Sequence, residues 1–170
     1  MGVHDFSINP KIEDLKISEK PSESEVLEAV KTLLRWTGDN PERDGLKETP
    51  KRVLKAYSEW FRGYNENPKS LLSKTFDEVK GYNDWVILDS IRVESYCEHH
   101  LAPIIGVAKV GYLPDGLVVG ISKLVRVVDA YAKRLQIQET LTSQIAETIQ
   151  TVLDPLGVAV IIDTSSMYDN

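Results

Sequence analysis

Residues 84–113 read D-W-V-I-L-D-S-I-R-V-E-S-Y-C-E-H-H-L-A-P-I-I-G-V-A-K-V-G-Y-L. Two strand-forming runs flank a short polar segment, and the reading of that segment decides the fold. Ile87, Ile91 and Val93 alternate with polar neighbours over part of the first run, which predicts a half-buried strand from Asp84 to Tyr96. Residues 104–113 and 117–121 predict further strands, joined through the turn tripeptide Pro114-Asp115-Gly116. A hairpin or meander is therefore expected after the polar segment. That segment, Cys97-Glu98-His99-His100, holds the chain's one cysteine and two of its three histidines.

Helical patterns lie on both sides. Upstream, Ser22 and Glu25 form a capping-box signal, followed by Val26, Val30, Leu33 and Leu34 on one helical face. Gly38-Asp39-Asn40-Pro41 ends this helix. Thr49-Pro50 predicts a second start, with Val53, Ala56, Tyr57, Trp60 and Phe61 as its buried face and Gly63 as its stop. Downstream, Ser122 is a candidate N-cap for a helix buried through Leu124, Val127, Val128 and Tyr131. Another helix follows with Leu141, Ile145, Ile149 and Val152. Asp154-Pro155-Leu156-Gly157 breaks it, and Val158–Ile162 predicts a last strand. Helices, a strand pair, two helices and a strand make an α+β chain with antiparallel pairing. The expected division is a mobile arm over 1–20, a helical region over 21–65 and the α+β domain over 66–170.

Bulk properties narrow the function. At 170 residues the chain is long enough for one ordinary domain with a helical extension. A net charge of -6 removes any global basic field, so neither nucleic acid nor a membrane surface is expected as a partner. No run of about 18 apolar residues offers a membrane span. A single cysteine forbids an internal disulfide and suits a reducing, cytoplasmic setting. The first residues lack the apolar core of a secretory signal, and Asp5, Glu13 and Asp14 without arginine argue against an organellar leader.

Three constellations carry chemistry. Cys97 and His100, three apart, can converge on a tetrahedral metal if the backbone turns there, leaving His99 free as acid or base. Two ligands alone do not make a site, and a buried free cysteine beside ordinary histidines is the alternative. Gly120-Ile121-Ser122-Lys123 opens a helix whose free N–H groups suit an anion, with Lys123 and Arg126 able to face the same ligand. A solvated, capped helix start would look the same. Gln136-Ile137-Gln138-Glu139 in extended form would put both glutamines on one side. Glu139 could then accept two adjacent N–H donors such as those of guanine, or simply serve as a first-turn anion. Arg52 and Lys55 share a face of the second helix; most such pairs are solvated surface.

Taken together, E-T-P-K-R-V-L-K-A-Y at 48–57, C-E-H-H-L-A-P at 97–103, G-Y-L-P at 111–114 and G-I-S-K-L-V-R-V-V at 120–128 resemble GTP cyclohydrolase I. The likeness continues through A-K-R-L-Q-I-Q-E-T-L-T-S-Q-I-A at 132–146 and P-L-G-V-A-V-I-I-D at 155–163. The resemblance implies a T-fold protomer in a homodecamer of two stacked pentamers, with active sites between subunits. It implies Cys97 and His100 as Zn2+ ligands and His99 as the catalytic histidine that protonates the guanine imidazole ring. Glu139, with Gln138 beside it, would anchor guanine. Ser122, Lys123 and Arg126 would hold the triphosphate, joined by Arg52 and Lys55 of a neighbouring subunit. The implied reaction is hydroxide attack on C8 of GTP, ring opening and formate release, giving 7,8-dihydroneopterin triphosphate on the way to pterins and folates. After Asp163 the pattern departs: Ser166 stands where the family has a second histidine, and Tyr168 where it has the third zinc ligand. The expectation is that the missing ligand lies outside the sequence as given; the alternative is a catalytically inactive ring subunit that binds GTP or a pterin.

Overall fold

The computed structural model describes residues 20–73, 75–76, 82 and 84–166. Nearly all of the expected N-terminal arm, and Tyr168, lie outside the described residues. The chain divides into two compact units, Met1–Leu54 and Lys55–Asn170.

In the first unit, α1 (Glu23–Trp36) starts with the expected capping box. The Ser22 N–H donates to Glu25 Oε2 at 2.8 Å, and the Ser22 hydroxyl accepts from the Glu25 N–H. None of its residues is buried, Leu33 included. Helix α2 (Thr49–Trp60) crosses into the second unit. Its expected buried face is only partly so: Tyr57 and Trp60 stay exposed, and Pro50 alone is buried. Gly63 is not the helix stop. It lies in the 3-10 turn Arg62–Asn65, where its N–H donates to the Lys133 carbonyl at 3.1 Å.

The second unit continues with α3 (Pro68–Leu71), β1 (Thr75–Phe76), β2 (Val86–Cys97), β3 (Pro103–Leu113), β4 (Val118–Val119), α4 (Ile121–Ala132), β5 (Leu135–Gln136), α5 (Gln138–Leu153) and β6 (Gly157–Ser166). The main sheet has the order β5-β2-β3-β6. β2, β3 and β6 are antiparallel neighbours, and β5 joins β2 in parallel. The α+β expectation holds. The expected position of the hairpin does not, because β4 pairs with β1 in a separate two-stranded sheet. The long hairpin is β2–β3, and Cys97–His100 begins its turn.

Alternation places Ile91, Val93 and Ser95 of β2, Ala108, Val110 and Tyr112 of β3, and Ile162 of β6 on the buried side. Leu124, Val127, Val128 and Tyr131 of α4 pack there, as do Leu141, Ile145, Ile149 and Leu153 of α5. Each is an expected or adjacent core position, and burying such a side chain contributes about 1.5–3 kcal/mol. Ile87 breaks the expected alternation and is 67 % exposed. The cause is a register shift between Leu88 and Ile91, where Ser90 takes φ 60°; one extra residue reverses the phase of the strand.

Candidate active site

The β2–β3 turn is closed by backbone bonds at both ends. The Cys97 N–H donates to the Ala102 carbonyl at 2.8 Å, and the Leu101 N–H donates to the Cys97 carbonyl at 2.9 Å. Leu101 takes φ 55°, a left-handed conformation that costs a branched residue about 1–2 kcal/mol. The turn thereby presents His99 and His100 to solvent, with Cys97 half-buried behind them. The Cys97 thiol lies 3.7 Å from His99 Nδ1, and the two imidazole rings stand edge to face with centroids 6.2 Å apart.

Behind the turn, Tyr96 is stacked on Trp60 at 4.9 Å and packed against Phe61 at 5.2 Å. Burial, then the nearby Glu94 and Tyr57, push its phenol above the ordinary tyrosine value. Glu94 is held below the usual carboxylate range. Its hydrogen bond and charge interaction with Lys133 are the largest causes, with Nζ 3.2 Å away, and Arg92 adds to them.

The parallel β5–β2 pairing sets Cys97 opposite Gln136. The Glu98 N–H donates to the Gln136 carbonyl at 3.1 Å, which ties the turn to the Gln136–Glu139 stretch. The two glutamines do not share a side, contrary to the extended reading. Gln136 is buried, and its Nε2 donates to the Tyr131 carbonyl and to Gln144 Oε1, each at 2.9 Å. Gln138 already opens α5, with Ile137 as the extended N-cap. Its side chain reaches β6: Nε2 donates to the Ile162 carbonyl at 2.9 Å, and Oε1 accepts from the Thr164 hydroxyl at 2.7 Å. Glu139 stands exposed in the first turn of α5, where the helix dipole favours a carboxylate.

Ser122, Lys123 and Arg126 sit on the first turns of α4. The N-cap is Gly120 rather than Ser122, because Gly120 is extended and its carbonyl already accepts the Lys123 N–H at 2.8 Å. Ser122 and Arg126 are exposed and Lys123 is half-buried. Arg52 and Lys55 are exposed on α2, one on each side of the boundary between the units.

A catalytic zinc takes three protein ligands. Among the described residues no group of three His, Cys, Asp or Glu is placed to hold a metal. Cys97 and His100 fall one donor short. The register carries β6 toward the turn, with position 166 opposite Ile104, two residues past Ala102. The chain there has Ser166. The residues missed from sequence were Thr164 and Leu101. Neither carries a sequence signal, since one acts through a partner 26 positions away and the other through its backbone angle.

Comparison with known proteins agrees with the motifs. The family profile described as GTP cyclohydrolase I matches residues 26–168. The GTP cyclohydrolase 1 of Maricaulis maris (strain MCS10) is 57% identical over 147 residues, spanning 86% of this chain and 72% of that protein. That of Brucella abortus (strain S19) is 55% identical over 152 residues, spanning 89% and 71%. Among solved structures, the apo archaeosine synthase QueF-Like aligns with TM-score 0.40 and 24% identity, over 48% of this chain and 92% of that one. No helix among the described residues is long and apolar enough to cross a membrane. With the profile running from α1 past the end of β6 and both relatives above half identity, this α+β chain belongs to the GTP cyclohydrolase I family of T-fold enzymes.

Proposed function

We propose that the chain is a GTP cyclohydrolase I subunit that hydrolytically opens the guanine ring of GTP and releases formate, leaving 7,8-dihydroneopterin triphosphate. The observation that carries this reading is the hydrogen bond from the Glu98 N–H to the Gln136 carbonyl, because it couples the C-E-H-H turn to the Gln136–Glu139 stretch. A reacting centre and a base-recognition group need such a fixed relation, since about 1 Å of misplacement can cost 100-fold in rate.

The roles follow from the side chains. The Glu139 carboxylate accepts from guanine N1–H and the exocyclic amine, a pair of donors that adenine lacks. His99, exposed on the turn, delivers a proton to the imidazole ring of the base as its C–N bond breaks. Lys123 and Arg126 meet the triphosphate beside the α4 N-terminus, and Ser122 adds a hydroxyl donor. Arg52 and Lys55 complete the phosphate site of a neighbouring subunit. Gln138 stands next to the base.

Zinc is the proposed cofactor, and Cys97 and His100 are the donors this chain offers it. When bound, such an ion supplies a hydroxide at neutral pH. The described donor set is one short, so the reading rests on the chain's own residues. A homodecamer is proposed on the sheet. β6 is an outer strand, and Ile87, Ile105, Val107 and Ile161 leave apolar surface exposed on one face. The arm, helical region and T-fold domain over 1–20, 21–65 and 66–170, in a cytoplasmic setting, complete the proposal.

The test is formate release from GTP by the purified chain with zinc supplied, alongside Glu139→Gln. The expected result is turnover by the parent and a loss of at least about 100-fold in the variant. A variant that turns over GTP as well as the parent would overturn the assignment of Glu139. Binding of GTP without formate release would move the reading to a non-catalytic ring subunit.

A further inference from the structure

Gln138 has both ends of its side-chain amide engaged by the last strand. Nε2 donates to the Ile162 carbonyl and Oε1 accepts from Thr164 Oγ1, at 2.9 and 2.7 Å. Ile162 and Thr164 are two apart on β6, so the two bonds fix the plane of the amide as well as its position. The backbone is held at the same place, because the Gln138 carbonyl accepts from the Thr142 hydroxyl at 2.7 Å. A primary amide offers two N–H donors and one carbonyl acceptor. One N–H donor and one of the carbonyl's two lone pairs are spent inside the protein, and the other donor and lone pair remain for a ligand.

Thr164 is itself held firmly. It pairs with Gly106 of β3, and that glycine admits β6 at a distance no side chain would tolerate. A Cβ there would collide with the Asp163 carbonyl oxygen and lie 2.6 Å from the Thr164 methyl. The chain running into Glu139 therefore has two anchors. Gln136 ties it to the C-E-H-H turn through the Glu98 N–H, and Gln138 ties it to β6. Glu139 is the next residue.

We propose that Thr164, acting through Gln138, is a positioning residue that sets the angle at which the Glu139 carboxylate meets a purine. The inference rests on the reading of Glu139 as the guanine-recognising group. Accepting two parallel N–H bonds is more sensitive to angle than accepting one. A loosened Glu139 loses preference for a base with both N1–H and a 2-amino group before it loses binding altogether.

The experiment compares equilibrium binding of GTP and inosine triphosphate, which lacks the 2-amino group, to the purified full chain, with the recovered nucleotide checked to be intact. The variants are Thr164→Val, Thr164→Ser and Glu139→Gln. Valine keeps the branched shape and removes the hydroxyl; serine keeps the hydroxyl. The expected result is a GTP-to-ITP preference lowered about tenfold by Thr164→Val and restored by Thr164→Ser. Glu139→Gln is expected to abolish the preference. A purely structural threonine would shift the thermal midpoint and leave the preference untouched. If Glu139→Gln abolishes the preference while Thr164→Val keeps it, the inference fails and the reading of Glu139 stands. If serine lowers it as much as valine, the hydroxyl is not the agent and the inference fails. If Glu139→Gln keeps the preference, or the parent has none, the reading of Glu139 falls and the inference falls with it.

Discussion

Leu101 and Asp39 illustrate how single residues shape the chain away from its core. Leu101 closes the C-E-H-H turn at φ 55° without being a glycine, and such strained angles gather at functional turns. Asp39 follows α1, where Arg43 donates to both of its carboxylate oxygens at 2.8 Å and the Asn40 N–H donates to Oδ1 at 2.7 Å. The Arg43 hydrogen bonds, then the Asn40 N–H, hold its carboxyl down to about 2. A carboxyl depressed on folding stabilises the fold above its unfolded value of 3.8, and that contribution fades as pH falls toward about 2. Carboxyl NMR titration is expected to place the Asp39 midpoint near that value, and Arg43→Ala to return it toward the ordinary range. An Asp39 midpoint that does not respond to Arg43→Ala would contradict the assigned cause. At this scale the Cys97–His100 cluster was legible as a candidate, because cysteine and histidine are scarce and stand together. The φ of Leu101 was not, because no residue type announces it.

Among the elements, the β2–β3 hairpin organises the rest, and its turn rather than the Pro114-Asp115-Gly116 turn joins the long strands. Local turn chemistry was read correctly at Gly116, which takes φ 83°, but it could not say which strands pair. The Arg62–Asn65 turn is fastened to the end of α4. Arg62 pairs with Asp129, and Arg134 donates to the Gly63 and Glu66 carbonyls at 2.9 and 3.2 Å. Gly63 is required there for space. A Cβ would collide with the Ala130 carbonyl oxygen and come within 2.8 Å of that of Lys133, both backbone atoms that cannot swing away. Gly63→Ala is expected to lower stability by about 1–3 kcal/mol, the cost of overpacking. Urea unfolding checks this, with a lower midpoint and an unchanged m-value. An unchanged midpoint would mean that the turn separates from α4 without loss.

For the whole molecule, the α4 and α5 stripes are satisfied within the chain and the outer sheet face is not. Leu124, Val127, Ile145 and Ile149 are fully buried, whereas Ile161 is 63 % exposed. Light scattering on the purified protein is expected to give a ten-chain particle that persists on dilution. A monomer at all concentrations would remove the proposed assembly and the shared phosphate site with it. The proposed assembly rests on the family resemblance rather than on periodicity, because an apolar stripe does not say whether its cover comes from the same chain.

The sequence by itself determined the α+β order, the two core helices, the C-E-H-H cluster and the family. These depend on neighbours within a few positions: the 3.6-residue stripe of α5, the capping box at Ser22, the C-E-H-H cluster. Only the tertiary structure decided that Ile87 faces outward, that Gln136 turns inward while Gln138 grips β6, and that Thr164 lies beside the Gln136–Glu139 stretch. Each of these depends on register, and register is set by a bulge at Ser90 and by contacts between residues far apart in the chain.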